Sequence, residues 1–105
     1  MGEEMQNLVI AKFPVKAEKL QETGQFLEEI LPETRAFKGC IKLDLYLEEA
    51  TKTYVLVEYW DSLADYDKYV EWRKVTGTFD LFESLIVGGA AGIQMHKCGE
   101  VMSRY

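Results

Sequence analysis

Thr53-Tyr54-Val55-Leu56-Val57-Glu58-Tyr59-Trp60 is a run of β-branched and aromatic residues with a single charge, the composition of a strand. Side chains alternate along a strand, so Tyr54, Leu56, Glu58 and Trp60 share one face and Val55, Val57 and Tyr59 the other. Both faces are mainly apolar, which places this strand inside a sheet with something lying against each side. Just upstream, Ile41, Leu43, Leu45 and Leu47 alternate with Lys42, Asp44, Tyr46 and Glu48, the period of a half-buried strand. A turn from Glu49 to Lys52 makes the two a hairpin. Asn7 to Phe13, stopped by Pro14, is a further strand apolar on both faces.

Helices fill the intervals. From Lys16 to Phe37 the positions Leu20, Leu27, Ile30, Leu31, Thr34 and Phe37 recur in steps of an amphipathic helix, and Pro32 inside the pattern predicts a kink or a break. Gly39 ends that segment. Ser62 followed by Asp65 resembles a capping box and opens a helix from Leu63 to Lys74, with Tyr66, Tyr69, Val70 and Arg73 on one stripe. Gly77-Thr78 opens a shorter helix carrying Phe82, Leu85 and Ile86, which Gly88-Gly89 ends. Ile93 to Met102 is the last strand. The order β-α-β-β-α-(α)-β is the split βαβ of the α+β class: a ferredoxin-like, four-stranded antiparallel sheet with helices on one face. Helices on one face leave the apolar second face of the first and third strands uncovered. The same face of a second copy supplies the simplest cover, so the expected state is a homodimer in which two sheets enclose an apolar interior.

The 105 residues suit one domain, spanning 1–105, and carry 12 basic against 18 acidic side chains, a net charge of −6. That balance argues against nucleic acid and anionic membranes as partners, and no strand carries the basic-aromatic pattern of an RNA-binding module. Cys40 and Cys98 lack metal-ligand spacing and read as small hydrophobes with free thiols in a reducing cytoplasm, although a contact between them across a dimer is a second reading. Met1 to Met5 has neither the basic nor the apolar region of a signal peptide, and Met5 is a candidate internal start. The longest apolar run, Leu85 to Ile93, holds three glycines and falls far short of a membrane span, so the protein reads as soluble. Glu18, Glu22, Glu28 and Glu29 read as a solvated helix face.

Three stretches in this order, Leu8-Val9-Ile10-Ala11-Lys12-Phe13-Pro14-Val15-Lys16, Leu31-Pro32-Glu33-Thr34-Arg35-Ala36-Phe37-Lys38-Gly39-Cys40 and Tyr54-Val55-Leu56-Val57-Glu58-Tyr59-Trp60, resemble the antibiotic biosynthesis monooxygenase domain family. The resemblance implies a dimeric α/β barrel and a cofactor-independent monooxygenase that uses molecular oxygen on planar phenols. It places Trp60 at the tryptophan that lines the pocket of such oxygenases. The two asparagines they use fall at Ala11 and Leu56, where no amide is kept. Haem-degrading relatives carry a histidine ligand on the next helix, where this chain has Tyr66, Tyr69 and Val70. The implied cofactor is therefore none, and no glycine fingerprint, paired histidines or clustered thiols suggest another.

Read from the residues themselves, an aromatic set remains: Tyr46, Tyr54, Trp60, Tyr66, Tyr69 and Trp72, with Arg73 and His96. If the strand face of Tyr54, Leu56, Glu58 and Trp60 meets the helix face of Tyr66, Tyr69 and Arg73, the two line a flat cavity for a small aromatic or quinol-like molecule. Arg73 would stabilise an oxyanion there. The plainer reading is that these aromatics fill a core. Glu58, if buried beside the cavity, could accept a substrate proton; paired with a cation it would be structural. His96 is a candidate base because histidine titrates near neutrality, or else a strand-surface residue. The functional readings are thus a cofactor-free monooxygenase or quinol oxidase with Trp60, Glu58 and His96 in catalysis, or a non-catalytic dimer that binds or senses a small hydrophobic ligand. A regulatory amino-acid-binding domain shares the topology but is usually joined to an enzyme.

Overall fold

The computed structural model describes residues 6–105. The signal-peptide and start-site readings of Met1 to Met5 lie outside the described residues. Strands β1 (Asn7–Pro14), β2 (Cys40–Glu48), β3 (Thr53–Trp60) and β4 (Gln94–Gly99) form one antiparallel sheet in the order β2-β3-β1-β4. Helices α1 (Leu20–Ala36), α2 (Leu63–Val75) and α3 (Thr78–Phe82) pack on one of its faces. This is the ferredoxin-like fold. The two-sided strands, β1 and β3, are the central pair, with Ala11 opposite Leu56 and Val9 opposite Glu58. On the helix side Val9, Ala11, Phe13, Leu56 and Trp60 are buried, whereas Leu8, Ile10, Val55, Val57 and Tyr59 on the other side are half-buried and have no helix over them.

Local chemistry explains where the elements begin and end. Ser62 caps α2: its Oγ accepts from the backbone N–H of Asp65 at 3.0 Å, as the capping pattern predicts. Gly39 turns the chain from α1 into β2 at φ +97°, where an added Cβ would strike the side chain of Asp65. A register shift between Cys40 and Lys42 puts Cys40, rather than Ile41, opposite Trp60 on the covered face.

Several boundaries differ from expectation. Helix α1 starts later, after a 3-10 turn at Ala17–Lys19, and runs through Pro32 without interruption. Pro32 and Glu28 are both exposed, so water can satisfy the Glu28 carbonyl that the proline leaves without a donor. Helix α3 is only Thr78–Phe82; Leu85 and Ile86 lie beyond it. Instead, Ile86 bridges Val15 in an antiparallel pair, with Val87 N–H donating to the Pro14 carbonyl at 2.8 Å. The glycines beyond therefore end a bridge, not a helix. Strand β4 stops at Gly99, short of Met102, because Gly99 has φ +86° and leaves the extended conformation. Cys40 is buried as expected but Cys98 is exposed, and Cys40 faces the helices, where it cannot meet Cys98 across the open sheet face. Glu18, Glu22, Glu28 and Glu29 are all exposed. No helix of the described residues is long and apolar enough to cross a membrane.

Candidate functional site

The floor of the site follows from cross-strand register. Leu45, Leu56, Ala11 and Met95 stand in a row across the four strands on the helix side. Ala11 is the small member of that row, and the space above it is not filled. A cavity of about 40 Å³ remains there, lined by Leu27, Ile30 and Leu31 of α1, by Tyr66, Tyr69, Val70 and Arg73 of α2, and by the aromatic rings of Phe79 and Phe82. Leu56 and Glu58 of the strand face thus meet Tyr66, Tyr69 and Arg73 of the helix stripe around the cavity, while Tyr54 and Trp60 of the same strand face do not line it.

Glu58 is the carboxyl in this wall and is only 2% exposed. One oxygen, Oε1, accepts from the indole N–H of Trp60 at 2.8 Å, and no cation pairs with it among the described residues. Burial pushes its pKa up to about 7, with the Trp60 hydrogen bond pulling the other way. The same carboxyl raises its neighbours: Tyr66 stands well above the usual tyrosine range, through burial first and Glu58 second. The Cys40 thiol is lifted to about 11 by the same two causes. Tyr69 is also raised by burial, against the hydrogen bonds from Arg73 and Thr34. At neutral pH the wall therefore offers phenolic donors and one carboxyl near its titration midpoint.

Arg73 is held differently from expectation. The guanidinium is 4% exposed and its donors are occupied: Nε by the Tyr69 hydroxyl at 2.9 Å, Nη1 by Glu33 at 3.1 Å and Thr78 at 3.5 Å, and Nη2 by the Ile30 carbonyl at 2.8 Å and Thr34 at 3.0 Å. It also lies over the Trp72 ring, 4.7 Å from the centroid. An oxyanion would have to displace one of these partners. Arg73 therefore clamps α2 to α1 while lining the cavity. Thr34, read from the sequence as part of the apolar stripe, is the hub that sequence reasoning missed; a hydroxyl residue at a core-facing helical position was the signal.

The remaining candidates are spread out. Leu56 and Tyr66 line the cavity with Glu58, Tyr69 and Arg73. Trp60 does not line it; its fully buried ring packs among Phe37, Tyr66 and Tyr69, behind Glu58. Tyr54 is also outside the cavity, its hydroxyl donating to the Leu20 carbonyl at 2.9 Å over Gly24. His96 stands opposite Ile10, and Tyr46 opposite Val55, so alternation sends both to the open face of the sheet. Neither joins the cavity. Among the described residues no group of three or more histidine, cysteine, aspartate or glutamate side chains could hold a metal ion.

A family model for antibiotic biosynthesis monooxygenases matches residues 8–76, which run from the second residue of β1 through α1, β2, β3 and α2. The chain belongs to the antibiotic biosynthesis monooxygenase family. No curated protein matches it by sequence. Solved structures share its fold. One is a protein from Shewanella oneidensis, with TM-score 0.73 and 20% identity over 90% of this chain and 89% of that one. Another is a conserved protein from Methanosarcina mazei, with TM-score 0.70 and 22% identity over 90% of this chain and 93% of that one. A third, described as an antibiotic biosynthesis monooxygenase, has TM-score 0.75 and 20% identity over 90% of this chain and 98% of that one. At these identities the likeness is one of fold. Ala11 and Leu56, the positions at which the resemblance implies asparagines in the oxygenases, both line the cavity. The polar group in this floor is Glu58, two residues along the same strand face.

Proposed function

We propose that the protein is a cofactor-independent monooxygenase of planar phenols or quinols, with Glu58 as the base. Ground-state dioxygen is a triplet, so the substrate must supply the first electron, and a phenolate does so far more readily than a phenol. Glu58 takes the hydroxyl proton, and the carboxyl is suited to this because its pKa lies near neutrality. The phenolate passes one electron to dioxygen, and the resulting radical pair joins as a carbon-bound peroxide. Loss of the O–O bond leaves a new carbonyl, while the second oxygen departs as water with the proton held on Glu58 and the one released from carbon. One dioxygen thus converts the ring C–H of a phenol, the CH2 of its keto tautomer, into C=O plus water; a quinol, with no hydrogen on the carbon attacked, gives the quinone and hydrogen peroxide instead, and neither route needs an outside reductant. Tyr66, whose hydroxyl forms no hydrogen bond among the described residues, supplies a donor to the oxygen-bearing end.

The observation that carries this reading is the buried carboxyl of Glu58 in the cavity wall, paired with no cation among the described residues. Its test is oxygen uptake with anthrone, 1-naphthol and reduced naphthoquinone. Uptake is expected for at least one of them, rising with pH to half-maximum near 7 and falling about a hundredfold or more in Glu58→Gln. A rate no greater than the protein-free control for every compound rejects the enzyme. Ala11 and Leu56, which give the cavity floor no amide to hold a carbonyl or peroxide, favour the second reading, a binding or sensing protein of the same fold. In either case we propose that it acts as a two-fold homodimer through the uncovered sheet face in the cytoplasm.

A further inference from the structure

The cavity beside Glu58, at about 40 Å³, does not admit an aromatic ring unless a wall moves. Against its outer side lies a second hollow, a surface cleft of about 340 Å³ between α2 and β4. Tyr66, Val70 and Met95 line both. This shared wall is the yielding one. Met95 is unbranched, 41% exposed, and sits on an edge strand that hydrogen-bonds to a single neighbour. Across the cleft, β4 is tied to α2 by Lys97 and Asp67 at 2.9 Å, a solvent-exposed ion pair of little strength. The seam between α1 and α2, in contrast, is held by the Arg73 clamp, and the α3 side by Phe82 packed against Phe13 and Phe26, while a hollow of about 350 Å³ between α1 and β2 shares only Leu31 with the cavity.

We propose that the α2–β4 cleft is the outer half of the substrate site, opened by rotation of Met95. The ring bearing the acidic hydroxyl passes inward to Glu58 and the rest of the molecule stays in the cleft. What is bound rests on the reading of Glu58 above; where it is bound rests on the two hollows. The cleft carries Asp67, Glu71, Lys74 and Lys97, equal numbers of each sign, so a charged tail meets a like charge there. The substrate class is an aromatic alcohol of more than one ring with an uncharged outer end.

Ala11→Cys in a Cys98→Ser background places a small thiol on the cavity floor, and methyl methanethiosulfonate labels it only after passing the wall. Cys40, buried outside the cavity, reports opening of the whole fold in the same sample. Met95→Ala is expected to speed labelling of the new thiol about tenfold and Met95→Trp to slow it by a similar factor, with Phe79→Ala and the Cys40 rate unchanged. 4-Phenylphenol is expected to protect the thiol more strongly than phenol. Insensitivity to both Met95 variants, or acceleration by Phe79→Ala instead, overturns the route; equal protection by phenol overturns the requirement for length. Labelling needs no turnover. A Met95-dependent rate in a protein that consumes no oxygen removes the oxygenase and keeps the cleft, and oxygen uptake with a Met95-independent rate does the reverse.

Discussion

At the scale of single residues, Glu58 links stability to pH in the direction opposite to most carboxylates. Its folded pKa is raised from 4.5 to about 7, so between those values the folded chain holds a proton that the unfolded chain has lost. Folding is favoured by this group below pH 4.5, loses that contribution as pH climbs to 7, and is flat beyond. Glu58→Gln removes the loss and keeps an oxygen for the Trp60 indole. In denaturant titrations at pH 5 and pH 8, the variant is expected to gain about 2–3 kcal/mol relative to the parent at the higher pH. Equal stability differences at both pH values would show that the carboxyl is better solvated than its burial implies. The strand face that carries Glu58 was legible in the sequence, because period-two alternation put it with Leu56 and Trp60, whereas its burial without a cation was one of two readings left open. The Arg73 clamp was not, since its partners Ile30, Glu33 and Thr34 lie some forty positions away on another helix and no local pattern ties them together.

At the scale of elements, strand and helix identities could be read because each obeys its own period, and Ser62 announced the start of α2 through a local cap. Boundaries set by tertiary contact could not. The bridge of Ile86 to Val15 joins positions that look in sequence like a helix end and a post-strand linker. Pro32 is the instructive case: propensity argued for a kink or a break, and packing of Leu27, Ile30, Leu31 and Thr34 on the sheet and on Arg73 prevents the break. The cost remains in the folded state as a carbonyl without its helical donor. Pro32→Ala restores that bond on an exposed face and is expected to raise stability by about 1–2 kcal/mol, net of the extra freedom given to the unfolded chain. Thermal and denaturant midpoints both report it, and a fall in either would mean that the proline ring itself packs usefully.

At the scale of the whole molecule, the sheet is finished on one side only. Leu8, Ile10, Val55, Val57 and Tyr59 form an apolar band without helices, the feature that two-sided strands implied from the outset. Sedimentation at micromolar concentration is expected to show a dimer, and Val57→Glu, at the centre of the band, a folded monomer. A parent protein that sediments as a folded monomer removes the two-fold reading. The helical layer is itself lopsided. One flank is pinned by a guanidinium whose donors are all engaged, while the other leans on a lone exposed ion pair and a thioether. Amide protons should accordingly exchange slowly along α1 and fast along β4, and selection in the laboratory for new ligands should collect its changes on the loose flank, where novelty costs little foldedness, leaving the pinned flank untouched.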